Sequence, residues 1–250
     1  MTLTTVILTK NEAANIKDAV ENAKAVSDTV LVVDSHSTDD TRHLAEQAQA
    51  IVFEHDWTGD FSAQRNFALS LVKTEWVLFL DADERLNNQL VDSIKRAVQS
   101  DVQASYVLKR KTIAFGKEFH HGVLKPDYVP RLFKTSHVHW ENRVHERPVC
   151  ADQQVQLPGV ILHFSYQSWV HNIEKLNVYT TIWAENALAR NQSTTYMHAF
   201  GHATAAFFKS YFLQLGVLDG GPGIAMCLNH AFCTLCKYLK LIELKARKTP

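Results

Sequence analysis

The chain has 250 residues, 46% of them hydrophobic, enough for one α/β domain or for one such domain with a modest appendage. Lys plus Arg and Asp plus Glu balance at 26 each, so the net charge is zero. That balance speaks against a dedicated nucleic-acid binder, which carries a basic excess, although a local basic face stays open.

The opening MTLTTVILTKNEAANIKD has no basic region followed by an apolar core and a cleavage site, so it does not read as a secretory signal. Thr4 to Leu8 is a short β-branched run. Ile16, Ala19, Val20 and Ala23 then mark one face of a helix from Glu12 to Ala25. Thr29 to Val33 reads as a second strand ending at Asp34, with Ser37 expected to cap the helix through Leu44, Ala45 and Ala48. Ala50 to Phe53 is a third strand and Phe61 to Val72 a helix. Trp76 to Leu80 is a fourth strand that runs straight into Asp81-Ala82-Asp83-Glu84. A helix on Leu90, Val91, Ile94 and Val98 follows, then a fifth strand over Ala104 to Leu108.

Strands alternating with helices specify an α/β fold, a mostly parallel sheet with helices on both faces. The nearly unbroken Val/Ile/Leu strands fit burial on both sides. Ligands gather beyond the carboxyl ends of such strands, where Asp34 and the Asp81–Asp83 cluster fall. From about Arg110 to Phe164 the Gly- and Pro-punctuated pattern reads as irregular loops with two or three short strands. Ser168 to Arg190 returns to a helix. Cys150, Cys227, Cys233 and Cys236 read as reduced thiols, and Cys233-x-x-Cys236 as helical packing.

Asp81-x-Asp83 is the central chemical signal. Carboxylates are the hard oxygen ligands that Mg²⁺ or Mn²⁺ takes alongside substrate phosphates and water. The alternative is a solvated turn in which Glu84 caps the next element. Asp34 suits hydrogen bonding to a base or ribose. A dinucleotide fold is excluded because no G-x-G-x-x-G follows the first strand, where Thr9-Lys10-Asn11-Glu12 stands instead. Ser37 and Asp39 are equally read as helix caps.

These features resemble the family 2 glycosyltransferases with the GT-A fold. The resemblance is carried by Val6-Ile7-Leu8-Thr9-Lys10-Asn11-Glu12, Val33-Asp34-Ser35-x-Ser37-x-Asp39 and Leu80-Asp81-Ala82-Asp83-Glu84. More narrowly, the chain is similar to the lipopolysaccharide core β-1,4-glucosyltransferases that modify inner-core heptose. Trp57-x-Gly59, Gln64-Arg65-Asn66, Pro130-Arg131-Leu132-Phe133, Val144-His145-Glu146 and Leu215-Gly216-x-x-Asp219-Gly220 extend that match over nearly the whole chain.

The resemblance implies a GT-A catalytic domain over residues 1–165, with a nucleotide-sugar half 1–109 and an acceptor-side half 110–165. A helical extension over 166–250 completes the chain. It puts Thr9, Glu12 and Asp34 around the uridine of a UDP-sugar donor, UDP-glucose by resemblance, with Arg65 near the base or pyrophosphate. Asp81 then faces the ribose or a metal-bound water, and Asp83 ligates the metal. His163 resembles the late histidine that completes a metal shell in related enzymes; the alternative is a hydrogen-bonded core histidine. Arg131 is open between a role on the diphosphate and a surface charge. Transfer with inversion needs a base for the acceptor hydroxyl, and Glu146 is preferred over Glu141. Trp140 is open between stacking on a sugar and packing in the core.

The tail from Tyr196 to Leu244 is aromatic and apolar, with Lys237, Lys240, Lys245, Arg247 and Lys248 near its end. No window reaches a spanning length. The tail is read as lying in an anionic membrane interface, with packing on the catalytic domain or a homodimer contact as alternatives. The implied acceptor is a lipid-linked, heptose-containing inner core. The implied location is cytoplasmic, peripheral to the inner face of the cytoplasmic membrane. Transfer to polyprenyl phosphate or another surface glycan is one alternative, and a non-catalytic nucleotide-sugar or glycan-binding protein another.

Overall fold

The structure, a computed structural model, describes residues 2–100, 102–142 and 146–248. Val144 and His145 of the Val-His-Glu motif lie outside the described residues, as does Arg143. The chain divides into two compact units, Met1–Arg110 with Asp127–His163 and Lys111–Pro126 with Phe164–Pro250.

The elements begin with β1 (Leu3–Thr9), α1 (Ile16–Lys24), β2 (Thr29–Asp34), α2 (Thr41–Gln47) and β3 (Ile51–Glu54). They continue with α3 (Phe61–Leu71), β4 (Trp76–Asp81), β5 (Glu84–Leu86), α4 (Asn88–Gln99) and β6 (Ser105–Ala114). After β7 (Lys117–Glu118) come β8 (Asp127–Lys134), β9 (His139–Glu141), β10 (Arg147–Val149) and β11 (Gln154–Tyr166). Three helices close the chain, α5 (Trp169–Ala189), α6 (Tyr196–Phe208) and α7 (Gly220–Lys248).

In the first unit the sheet order is β3-β2-β1-β4-β8-β6-β11-β5. The half from β3 to β4 is parallel, as the alternation of strands and helices requires. In the other half β8 runs antiparallel to β4 and to β6, with Leu78 of β4 opposite Leu132 of β8, and β5 runs antiparallel to β11, with Ile161 opposite Leu86. The fifth strand therefore extends well past Leu108, and the stretch from Arg110 to Phe164 is mainly ladder where irregular loops with two or three short strands were expected.

Strand alternation sorts the core to two faces. Ile7, Val32 and Leu80 point to the side covered by α1, α2 and α4, whereas Val6, Val33, Val77 and Phe79 point to the side covered by α3. On α1 the buried residues are Ile16, Ala19, Val20 and Ala23, the helical stripe read from the sequence. Gly159 of β11 sits at φ +107, and a Cβ there would lie 2.4 Å from the Leu90 backbone nitrogen. Only glycine lets β11 approach the start of α4 this closely.

In the second unit α5 and α7 pack through Ala184, Ala187 and Leu241. A Cβ on Gly216 would meet the Cys227 sulfur at 2.5 Å, so the Leu-Gly-x-x-Asp-Gly motif forms a tight corner. Asp219 closes that corner: its buried Oδ2 accepts the His120 and His121 amides at 3.1 and 2.8 Å. All four cysteines are unpaired.

Candidate active site

The carboxyl ends of β1 and β2 carry the first group of residues. Asp34 is wholly buried; its Oδ1 accepts from the Thr9 hydroxyl at 2.9 Å and the Ser37 hydroxyl at 2.5 Å, and its Oδ2 from the Ser37 amide at 2.7 Å. Ser37 is thus engaged by Asp34 and does not cap α2. That helix starts later, where Asp39 Oδ1 accepts from the Thr41 amide at 3.1 Å. Cross-loop bonds knit the Thr9–Glu12 turn to this segment. The Asn11 amide donates to Ser37 Oγ and the Glu12 amide to Thr41 Oγ1, both at 2.8 Å. The Glu12 carboxylate accepts from Asn15 Nδ2 at 2.7 Å.

The second group surrounds the end of β4, where a cavity of about 230 Å³ is lined by Arg65, Asp81, Arg110, Arg131, Trp140 and Glu146, with Val129, Pro130 and Pro148. α3 is started by Asp60, whose side chain accepts the Ala63 amide, and it turns Arg65 inward. Arg65 Nε lies 3.3 Å from Glu146 Oε1, and Nη2 lies 3.5 Å from Asp81 Oδ1. The guanidinium sits 4.6 Å over the Trp140 ring, itself packed edge-on to Phe79. Trp140 is therefore both a core residue and a wall of the cavity. Its strand is clamped by Asn66, which accepts the Trp140 amide at 2.8 Å and donates to its carbonyl at 2.9 Å.

β8 brings Arg131 beside the same strand end. Its Nη2 donates to Asp81 Oδ2 at 2.8 Å and to Glu84 Oε1 at 2.6 Å. Glu84 is fully buried, accepts the Asp81 amide at 3.0 Å and also meets Arg110 Nη1 at 3.2 Å. Burial alone would raise the Asp81 carboxyl, but the charges of Arg131 and Arg65 outweigh it and hold the group well below the usual range. Burial pushes the Glu84 carboxyl up; Arg131 and Arg110 pull against it and Asp81 repels it, leaving a net rise. Burial would lower the Arg131 guanidinium, but Asp81 and Glu84 drive it upward, so it stays charged. Two guanidinium nitrogens, Arg65 Nη1 and Arg131 Nε, are buried with no hydrogen-bond partner among the described residues. Buried donors in that state are costly unless an incoming acceptor completes them.

Asp83 and His163 form a third group. The β5–β11 register sets His163 opposite Glu84, and His163 Nε2 lies 3.3 Å from Asp83 Oδ2. No group of three or more His, Cys, Asp or Glu suited to a metal occurs among the described residues. One carboxylate and one imidazole nonetheless fit a hard divalent ion whose remaining positions are taken by phosphate and water. Glu141 does not line the cavity; it is half exposed and paired with His139 at 3.2 Å and Arg147 at 3.4 Å. Those two partners hold its carboxyl below the usual range.

The sequence named Arg65, Asp81 and Glu146 for three separate tasks, which the structure brings to one cavity; it paired Asp83 with His163 and left Arg131 open. It missed Arg110 altogether, since a lone arginine within a strand carries no pattern. It gave Glu84 a capping role only in the solvated-turn alternative; the side chain instead folds back to accept the Asp81 amide and pairs with Arg131 and Arg110.

The glycosyl transferase family 2 model matches residues 4–146. An uncharacterized glycosyltransferase of Rickettsia felis is 30% identical over 95% of this chain and 88% of its own length. Another, from Rickettsia prowazekii, is 28% identical over 98% and 88% respectively. Among solved structures, S. aureus TarS aligns with 99% of this chain and 53% of its own at 15% identity, with a TM-score of 0.48, too low to bear on function.

Proposed function

Because the chain belongs to glycosyl transferase family 2, we propose that it transfers a sugar from a UDP-sugar, with inversion, to a heptose hydroxyl of a lipid-linked lipopolysaccharide inner core. The sugar is glucose by the resemblance of its motifs. The acceptor is met at the cytoplasmic face of the inner membrane, with which the protein associates peripherally. The observation that carries this reading is the pair of buried guanidiniums with unpaired N–H groups beside a cavity that also holds the Glu146 carboxylate. At about 230 Å³ the cavity is smaller than the roughly 300–1,000 Å³ of a whole-ligand site, which suits the diphosphate and sugar rather than an entire nucleotide sugar.

In this reading Arg131 and Arg65 bind the diphosphate, and Thr9, Glu12 and Asp34 lie toward the uridine. Glu146 takes the proton of the attacking hydroxyl as its oxygen bonds to the sugar C1. The bond from C1 to the diphosphate oxygen breaks, and its electron pair leaves on UDP. Charge builds on the diphosphate at that moment, so the guanidiniums stabilise the transition state more than the ground state. Asp83 and His163 would hold a Mg²⁺ or Mn²⁺ ion, which when bound supplies further neutralisation of the diphosphate. A polyprenyl phosphate arrives already deprotonated and needs no base, so the Glu146 carboxylate favours a hydroxyl acceptor.

The test is UDP release from a panel of UDP-sugars, with Mg²⁺ or Mn²⁺ and a heptose-terminated inner-core lipid. Turnover of one donor, dependent on that acceptor, is expected. Turnover only with polyprenyl phosphate would replace the acceptor, and a folded protein that binds donor but releases no UDP with any acceptor would be a binding protein.

A further inference from the structure

α6 is built inside out. The residues it buries are small, Ala199 and Ala203, and Ser210 continues that side in the wide π-turn Lys209–Leu213 that follows. Besides His198, Gly201, His202, Thr204 and Ala205 it exposes large apolar residues: Met197 is 81% exposed, Phe200 55% and Phe208 54%, and the turn adds Phe212 at 53% and Leu213 at 81%. A helix meant for water does the reverse, hiding its large apolar side chains and exposing polar ones. Phe208 and Phe212 stack with ring centroids 5.7 Å apart, so these two exposed rings form one ledge. Contiguous exposed apolar surface of this kind marks an interaction site.

Charge selects the occupant. Residues 186–218 contain no Asp or Glu, and their formal charges are Arg190 and Lys209. The next carboxylate, Asp219, is buried and engaged by the His120 and His121 amides and the His121 ring. The face therefore presents aromatic and aliphatic side chains with positive charge and no exposed negative charge along the segment. A two-fold pairing of copies would set this patch against itself, Lys209 toward another basic surface with no carboxylate to answer it. An anionic lipid surface supplies the missing charge and takes the apolar side chains as well. Among the described residues no helix is long and apolar enough to cross a membrane, so contact is made in the plane of the interface.

We propose that the exposed face of α6 and its π-turn is a docking surface for an anionic lipid bilayer, with Met197, Phe208 and Phe212 reaching the acyl boundary and Lys209 at the head groups. This deepens the membrane association proposed above and rests on that reading.

The experiment is flotation of the purified full chain with vesicles of phosphatidylcholine alone or mixed equally with phosphatidylglycerol. UDP release with a lipid-free heptose acceptor is followed on the same preparations. The chain is expected to float with the mixed vesicles, and less so as salt rises. A Met197→Ser/Phe208→Ser/Phe212→Ser variant is expected to lose at least roughly tenfold in partitioning, whereas the same three positions changed to Leu retain it and report that the fold is intact. Absence of wild-type flotation, or equal flotation of the Ser variant, would overturn the surface. A dimer that the Ser variant dissociates, with no vesicle binding, would assign the face to a second copy instead. No wild-type flotation with turnover intact defeats the surface alone; no wild-type turnover with flotation intact defeats the reaction alone.

Discussion

Glu146 and Glu141 come from one short stretch of sequence and hold opposite positions. Glu146 meets Arg65 at the cavity, while Glu141 is tied to His139 and Arg147 on an exposed hairpin. Substitution of Glu146 by Gln is expected to lower kcat by roughly 10²–10⁴-fold with donor affinity retained, and Glu141→Gln to change it by no more than about threefold. Initial rates and donor titrations on the two variants decide between them. Asp219 offers a prediction of a different kind. Burial alone would raise its carboxyl, but His121 and the two amides outweigh burial and hold it below its ordinary 3.8. A depressed carboxyl adds stability above that ordinary value and loses it as pH falls through the lower folded one. Asp219→Asn is therefore expected to cost about 1–3 kcal/mol at neutral pH and to flatten the acid limb of urea stability measured below pH 3.8.

At the scale of elements, Asn66 of α3 is the only side chain described as bonding both backbone groups of Trp140, and so fixes β9 beside the cavity. Asn66→Ala is expected to cost about 1–3 kcal/mol in urea unfolding and to reduce kcat/KM about tenfold, because Trp140 and the neighbouring Glu146 lose their anchor. Gly159→Ala places a methyl 2.4 Å from the Leu90 nitrogen at a backbone angle that disfavours it, and a loss of roughly 2–4 kcal/mol is expected. β1, β2 and β4 were legible because buried parallel strands are continuous apolar runs, and α1 because it shows a clean 3.6 period. β8 and β11 were not, because Pro130, Pro158 and Gly159 interrupt them and polar residues are scattered along them. Their pairing is decided by partners distant in sequence, which local periodicity does not report.

Across the whole molecule, the strand-end acids were legible because the α/β topology gathers ligands at that edge. Arg110 and Glu84 were not, since their role depends on β5, β6 and β8, strands distant in sequence, being brought into one sheet with β4 and β11. The motif Leu-Gly-x-x-Asp-Gly was visible in sequence, but its purpose as a corner required the approach of Gly216 to Cys227 and Gly122. With two protein ligands, a metal held at Asp83 and His163 as proposed would be a substrate partner rather than a staple of the fold. Chelation is accordingly expected to lower turnover by at least roughly tenfold while leaving the thermal midpoint unchanged, with Mn²⁺ or Mg²⁺ restoring activity. A midpoint that falls with chelation would mean a structural ion instead.

The central claim is that the buried guanidiniums of Arg65 and Arg131 exist to receive a nucleoside diphosphate. Calorimetric titration of UDP and of uridine into the wild-type protein, in the presence of Mg²⁺, tests it most directly. The account predicts that UDP binds at least roughly a hundredfold more tightly than uridine, the difference carried by charge-assisted hydrogen bonds to the diphosphate. Equal affinities, or no binding of UDP by the folded chain, would contradict it.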